Sequence, residues 1–545
     1  MSLLTSSESL CIGGARFDIE VVAGAFANSD GSLSLVTWPH KCKASTTRAR
    51  SVVIFEHSGG ARGGAAALWA PVLSRWALAL PFEHLVGSTS GAAANTSSSG
   101  GGDFRLTGTL AGLVPLSPPP PRRLWIFVNP NAGSGGSERA WAQAAPMLAD
   151  AGITCVVVVT QAQGEARAAV AGATDASMRA LEGILVVGGD GSMTEVVEGI
   201  MSRSDWAVCA RTVFLGVLPA GSGNGLVVSL CVSAGVPFSA DNAAWAVAKG
   251  GAESIDLAST FCAAEENASS GANSGEPEFT IAIVAEDGAS SSFGAAKMTA
   301  ASRGASAWGA RHWSFLSLEW ALPADLDLES EFLRCLGSAR FDAYAMVRIA
   351  SLRRYRGRFS YVPAPPSGSR RARSPINDDD ANGPVAPLPA LRHLVPFNET
   401  PPATKWKTTE GTFIFLWATN TSHQAIGIST CSTTRHDSGA WTVVLMRDMS
   451  KCSLVSTMLS LDTEGSLAKQ SCVETFDVVA WRLEPEVNGV IGGTTTAVTA
   501  AAAAAAHKGP GCVALDGERL AYGPVQAEVH EKLLRVYARP PKVSN

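Results

Sequence analysis

Three glycine-rich stretches hold the residues of this chain best suited to chemistry: Asn129–Gly136 (NPNAGSGG), Gly188–Gly191 (GGDG) and Pro219–Gly225 (PAGSGNG). Without Cβ atoms in the way, successive backbone N–H groups can close around a polyphosphate. The middle stretch also carries an acid, Asp190. A carboxylate placed beside bound phosphate can take the proton from a hydroxyl that attacks it. Asn129, Asn224 and Glu195 add groups able to orient phosphate, ribose or metal. A glycine-flanked aspartate alone is an ordinary turn. Three such loops together favour nucleotide binding. None is a Walker A loop, since Gly-Lys-Ser/Thr is absent, and none fits the GxGxxG opening of a dinucleotide fold.

The elements that must position these loops are legible around them. Ile184–Val187 is a short β-branched run of the buried-strand type, and Met193, Val196, Val197 and Ile200 follow at helical spacing. LWIFVNPNAGSGGSERAWAQAAPML, GITCVVVVTQAQGEARAAV and VFLGVLPAGSGNGLVVSL repeat the order strand, turn, helix. That alternation implies right-handed crossovers, a parallel sheet, and loops gathered on one sheet edge. The expected fold is therefore α/β, with a parallel-sheet nucleotide-binding domain over residues 122–255. Beyond it, EFTIAIVAE, RFSYVP, TFIFLWATN, WTVVLMRD, FDVVAWRLEP, GCVALDGE and LLRVYARP read as antiparallel strands of a second domain over 256–545. Polar or low-complexity insertions at about 262–278, 364–403 and 486–511 are expected to be disordered. Residues 1–85 read as a small β-rich accessory region, and 86–121, ending in SPPPP, as a flexible linker.

Composition narrows the functional classes. A net charge of −5 offers no basic footprint for nucleic acid. Eleven cysteines without a CxxC suit a reduced cytoplasmic protein better than a disulfide framework or a zinc site. No apolar run of spanning length and no basic-then-apolar leader are evident, so membrane contact is expected to be peripheral.

The three loops resemble those of the sphingosine kinases, within the wider diacylglycerol-kinase-type lipid kinase family. NPNAGSGG is similar to the first nucleotide loop, GGDGSMTEVVEG to the GGDG signature, and LPAGSGNGLV to the third glycine loop. The resemblance is dense over Arg122–Ile255 and resumes in FLSLEWALPADLDLESEFLRCLGSARF, RIASLRRYRGRFSYVP, VVAWRLEP and VALDGERLAYGPVQAEVH. It implies an α/β nucleotide domain followed by an antiparallel β-sandwich that binds lipid, with ATP and Mg2+ as cofactors. The implied reaction phosphorylates the primary hydroxyl of a sphingoid base, and a homodimer is compatible with it.

Carried onto this chain, the resemblance makes Asp190 the general base. It places Asn129, Pro130, Asn131, Thr160, Gly189, Gly191, Glu195, Gly221, Ser222, Gly223, Arg334, Arg340, Asp516, Gly517 and Glu518 at the nucleotide, with Asp516 near the Mg2+. Asp327, Gly188 and Ser317 fall at the lipid, Asp327 reading its amino and hydroxyl head. Taken alone, Asp327 lies in an acidic run that a solvated helix face would explain, and Asp516-Gly517 reads as a hairpin turn. Two departures from the family pattern stand out. Glu165 occupies a position usually held by histidine, and Trp320 is followed by Ala321, Leu322 and Pro323 where the family reads Trp-Gly-Phe. A kinase for diacylglycerol or ceramide, a soluble NAD kinase, and a lipid-sensing scaffold without catalysis are the alternatives. Arg348, Arg353, Arg354, Arg356 and Arg358, close to Tyr344, Met346 and Val347, suit either an anionic membrane face or a solvated connection.

Overall fold

A computed structural model describes residues 121–263, 308–337, 339–366, 387–459, 467–487, 489–491 and 511–539, with 284–285 and parts of 3–104. The first half alternates as the hydrophobic pattern requires: β1 (Arg122–Val128), α1 (Ser137–Asp150), β2 (Ile153–Val159), α2 (Glu165–Gly172), β3 (Gly183–Gly188), α3 (Asp190–Met201), β4 (Phe214–Pro219), α4 (Gly225–Ser233) and α5 (Ala240–Lys249). The strands pair in parallel in the order β2-β1-β3-β4. β3 is buried along its whole length, which is why its sequence is apolar without alternation. Met193, Val196, Val197 and Ile200 bring α3 down onto this sheet, each at most 1% exposed.

The second half adds β5 (Ala252–Cys262), β6 (Ala310–Ser314), β7 (Ser317–Ala321), α6 (Leu322–Glu329), α7 (Ala339–Ala350), β8 (Tyr355–Pro363), β9 (Lys407–Thr419), β10 (Trp441–Arg447), α8 (Lys451–Met458), β11 (Val473–Pro485), β12 (Val513–Leu515), β13 (Glu518–Leu520) and β14 (Val525–Tyr537). Its strands pair antiparallel around a core containing Trp320, Phe359, Trp441 and Trp481. The two halves share one 15-stranded mixed sheet. The joint is β14, of which the sequence pattern marked only the end. This strand runs parallel to β4 through Phe214↔Arg535 and antiparallel to β5 and β11. The β5–β14 register shifts at Asp256, whose carboxylate accepts the backbone N–H groups of Lys532 (2.7 Å) and Gly439 (2.6 Å).

Two expectations change. In EFTIAIVAE the described pair Val284–Ala285 adds to the edge of β2, through Val284↔Val157, rather than to the antiparallel strands. An edge strand offers an unpaired ladder, which is what draws it there. Within 364–403, expected to be disordered, Arg392, His393 and Leu394 donate backbone N–H groups to the Glu528 carboxylate at 2.8–3.3 Å, and Leu394 is buried. The expected insertions at 264–278, 367–386 and 492–510, and Ser374 within them, lie outside the described residues. At the N-terminus, a three-stranded sheet docks on α1 and α5: the Trp38 indole donates to Asp150 (2.8 Å) and the Arg48 N–H to Asp241 (2.8 Å). Asp103–Phe104, inside the stretch read as a linker, pairs with the strand Leu3–Ser6.

Ala321 ends β7 at φ 66° and ψ −131°, a conformation that costs an L side chain but not glycine. Ala321→Gly is therefore expected to raise stability by roughly 0.5–1 kcal/mol. Thermal or urea unfolding would check it, and a loss of stability would mean the methyl group's packing outweighs the strain.

Candidate functional site

The three glycine loops meet back to back. Gly133 has φ +53°, and a Cβ there would lie 2.4 Å from the Ala220 carbonyl. One on Gly221 would lie 2.6 Å from Gly189 Cα. The loops therefore touch through backbone, which only glycine permits. They form one wall of a cavity of about 580 Å³. Asn129, Asn131, Thr160, Gly189, Asp190, Gly191, Glu195, Gly221, Ser222, Gly223, Asp327, Arg340, Asp516, Gly517 and Glu518 line it. Pro130, Gly188 and Ser317 are adjacent in sequence or register but do not line it, and the Arg334 side chain lies outside the described residues.

Asp190 starts α3 and points at the first turn of α4. Its Oδ2 accepts the Gly225 N–H at 2.8 Å and its Oδ1 the Leu226 N–H at 3.5 Å. Burial outweighs these two bonds and, with Asp516 and Asp327 nearby, pushes its pKa up to about 7. A carboxyl poised there can accept a proton near neutral pH.

Asp516 lies in the hairpin turn that the Asp-Gly pair reads as. It sits at φ 50° in the β12–β13 hairpin and is 2% exposed. Its Oδ1 accepts the Ser314 hydroxyl (2.6 Å) and the N–H groups of Leu316 (3.0 Å) and Ser317 (2.9 Å). Its Oδ2 accepts the Phe315 N–H (3.0 Å) and the Thr194 hydroxyl (3.4 Å). With its oxygens accepting from five donors, Asp516 clasps the β6–β7 turn to α3. Glu518 reaches the glycine loops: a Cβ on Gly191 would lie 2.7 Å from Glu518 Oε1.

Asp327, on α6, binds Arg340 of α7 through Oδ1 at 2.9 Å. Burial pushes the Asp327 carboxyl up to about 6 against the pull of that guanidinium. The two residues, expected to serve lipid head and phosphate separately, thus form one mutually neutralised pair at the cavity wall. Glu195 accepts the Gly164 N–H (2.9 Å), and Glu165 accepts the Gln161 N–H (2.6 Å). Both acids hold the loop that follows β2, so Glu165 has a local structural task in place of the family's histidine.

Sequence reasoning did not single out Glu319 or Gln424, which also line the cavity, 5% and 7% exposed. Glu319 was visible as the charge inside the apolar run FLSLEWAL; Gln424 carries no local signal. An apolar face of the cavity is formed by Leu326, Phe341, Phe415, Trp417, Ile428 and Met458. The five arginines 348–358 are each held by acids: Arg348 by Asp325 (2.9 Å), Arg353 by Glu329 (2.6 Å), Arg354 by Asp448 (2.7 Å), Arg356 by Glu486 (3.4 Å) and Arg358 by Glu410 (3.0 Å). They do not form an unpaired basic face. Among the described residues, the acid–thiol cluster Asp325, Glu329 and Cys512 lies apart from the nucleotide loops, and no helix is long and apolar enough to cross a membrane.

Residues 123–260 match the model of the diacylglycerol kinase catalytic domain. Sphingosine kinase 1 of Arabidopsis thaliana is 29% identical over 373 residues, covering 67% of this chain and 64% of the relative. Sphingosine kinase 1 of Homo sapiens is 29% identical over 416 residues, covering 76% of this chain and 90% of the relative. The chain thus spans just under two thirds of the length of the Arabidopsis relative. A solved diacylglycerol kinase from Bacillus anthracis aligns over 77% of this chain and 98% of its own, at 14% identity and a TM-score of 0.43.

Proposed function

We propose that this chain, which belongs to the diacylglycerol-kinase-type lipid kinases, transfers the γ-phosphoryl group of ATP to the primary hydroxyl of a sphingoid base. The observation that carries the reading is the placement of Asp190: a buried carboxyl poised near pH 7, at the meeting point of three glycine loops, on a cavity that also presents an apolar face. Residues 122–255 would form the nucleotide domain and 256–545 the lipid domain. The backbone N–H groups of Gly133, Gly189 and Gly223 cradle the phosphates, while the Gly221 N–H is held by the Gly188 carbonyl (2.9 Å). Asp190 takes the hydroxyl proton as the oxygen attacks phosphorus, and the wall formed by Phe341, Phe415, Trp417 and Met458 receives the chain. The ammonium of the base meets Asp327, whose charge is otherwise spent on Arg340.

The residues fit a magnesium ion held mainly by phosphate and water, since Glu518 and Glu195 both line the cavity and no closed ligand cage is required. Such an ion would neutralise charge on the transferred phosphoryl group.

The test is transfer of labelled γ-phosphate to sphingosine, phytosphingosine, diacylglycerol and ceramide offered side by side. Label on a sphingoid base is expected, with Asp327→Asn lowering it selectively. Label on diacylglycerol or ceramide alone would overturn the substrate, and ATP binding without transfer to any lipid would favour the scaffold alternative.

Peripheral membrane contact is supported by exposed apolar side chains rather than by the arginines. Phe332 is 74%, Met346 71%, Val347 54% and Leu459 74% exposed, on and beside α7 and α8. Met346→Asp with Val347→Asp is expected to weaken sedimentation with lipid vesicles by about tenfold or more, from the apolar area withdrawn from the bilayer. Unchanged sedimentation would place the contact elsewhere.

A further inference from the structure

Two buried polar groups on the cavity wall are left unused by phosphoryl transfer. Glu319, in β7, has Oε1 bonded by the Ser317 hydroxyl at 3.2 Å and is 5% exposed. Burial beside Asp327 and Asp516 holds its carboxyl well above the usual range, which favours the protonated form that can donate. Gln424 follows β9 and is 7% exposed. Its amide nitrogen donates to the Thr419 and Thr421 hydroxyls. Those hydroxyls donate onward, to the carbonyls of Thr421 (2.8 Å) and His423 (3.0 Å). The amide orientation is thereby set, and Gln424 Oε1 is left as a buried acceptor with no partner. The two groups flank one strand pair, because Ser317 lies opposite Thr419 in the β7–β9 register.

A saturated lipid chain laid against these groups would leave both unsatisfied, whereas a hydroxyl can accept from one and donate to the other. We propose that Glu319 and Gln424 form a second polar subsite that reads a hydroxyl on the sphingoid backbone beyond the amino-diol head, so that trihydroxy bases are used in preference to dihydroxy ones. The inference rests on the sphingoid-base reading above and adds the substrate's hydroxylation state to it. The amine belongs to Asp327, an ionised partner for a cation. Gln424 is neutral and burial favours the neutral form of Glu319, so together they suit a neutral group that both donates and accepts.

The experiment compares kcat/KM for phytosphingosine and sphinganine of equal chain length, which differ by one hydroxyl, using the full chain with Mg-ATP. The wild-type protein is expected to favour the trihydroxy base by about tenfold or more, the discrimination typical of a buried hydrogen-bonding group left unpaired by the poorer substrate. Gln424→Leu and Glu319→Ala should bring the ratio towards one. Glu319→Gln, which keeps a neutral donor and acceptor, should hold it. Because the ratio is internal to each preparation, loss of folded protein cancels. A wild-type ratio near one, or a ratio untouched in Gln424→Leu, overturns the subsite while leaving the sphingoid-base reading intact. Transfer to diacylglycerol with neither base accepting phosphate overturns both.

Discussion

Asp190→Asn is expected to lower phosphoryl transfer by roughly 10²–10⁴-fold, the usual contribution of a positioned general base, while nucleotide binding is retained. The substitution keeps an acceptor for the Gly225 N–H but cannot take a proton. The wild-type rate should depend on pH in a defined sense. The Asp190 carboxyl is pushed up to about 7, so it is protonated and inactive below that value and ionised above it. Initial rates at saturating lipid should therefore climb between about pH 6 and 8, with a midpoint near 7. Stability should run the other way. A carboxyl whose folded pKa is raised binds a proton more tightly when folded, so its contribution to stability declines as pH rises from its ordinary value of 3.8 towards 7. Asp190→Asn should thus be at least as stable as wild type at pH 8. Substantial transfer by the variant, or a profile flat from pH 6 to 8, would remove Asp190 from the role of base.

Asp516→Ala is expected to produce the largest loss of stability among single substitutions at the site. It removes the acceptor of five donors, four of them in the Ser314–Ser317 turn. A buried donor left unsatisfied costs about 1–3 kcal/mol, and with partial relaxation the total should be at least ~3 kcal/mol. That corresponds to a fall in Tm of roughly 5–10 °C. Activity should fall with it, since the clasp sets the hairpin that carries Glu518 against the glycine loops. A Tm within about a degree of wild type, with activity lost only through a weaker response to magnesium, would favour a metal role for Asp516 over the clasp.

How much of this was legible beforehand follows from the range of the interactions. Glycine spacing, β-branched runs and 3.6-residue periodicity are written in neighbouring residues, so the three loops, their parallel strands and Asp190 at a strand-to-helix elbow could be read directly. The family resemblance then named Asp327, Arg340 and the Asp516 hairpin as site residues, and all line the cavity. Their partners could not be named, because those are set by contacts between segments far apart in sequence. Asp516 meets Ser314 across 202 residues, and Asp190 meets Gly225 across 35.

The arginine-rich stretch shows the same limit from the other side. Five cations close in sequence suggested a basic face, yet the fold brings an acid to each, some from more than 90 residues away. What the sequence determined by itself was the three glycine loops and the alternation that builds the parallel sheet, since both depend on local backbone preference. Only the tertiary structure decided that β14 would bind the parallel and antiparallel strands into one sheet, and which charges would be spent on one another. It alone set Glu319 and Gln424 on the same cavity wall, because burial and pairing are properties of the assembled chain rather than of any window within it.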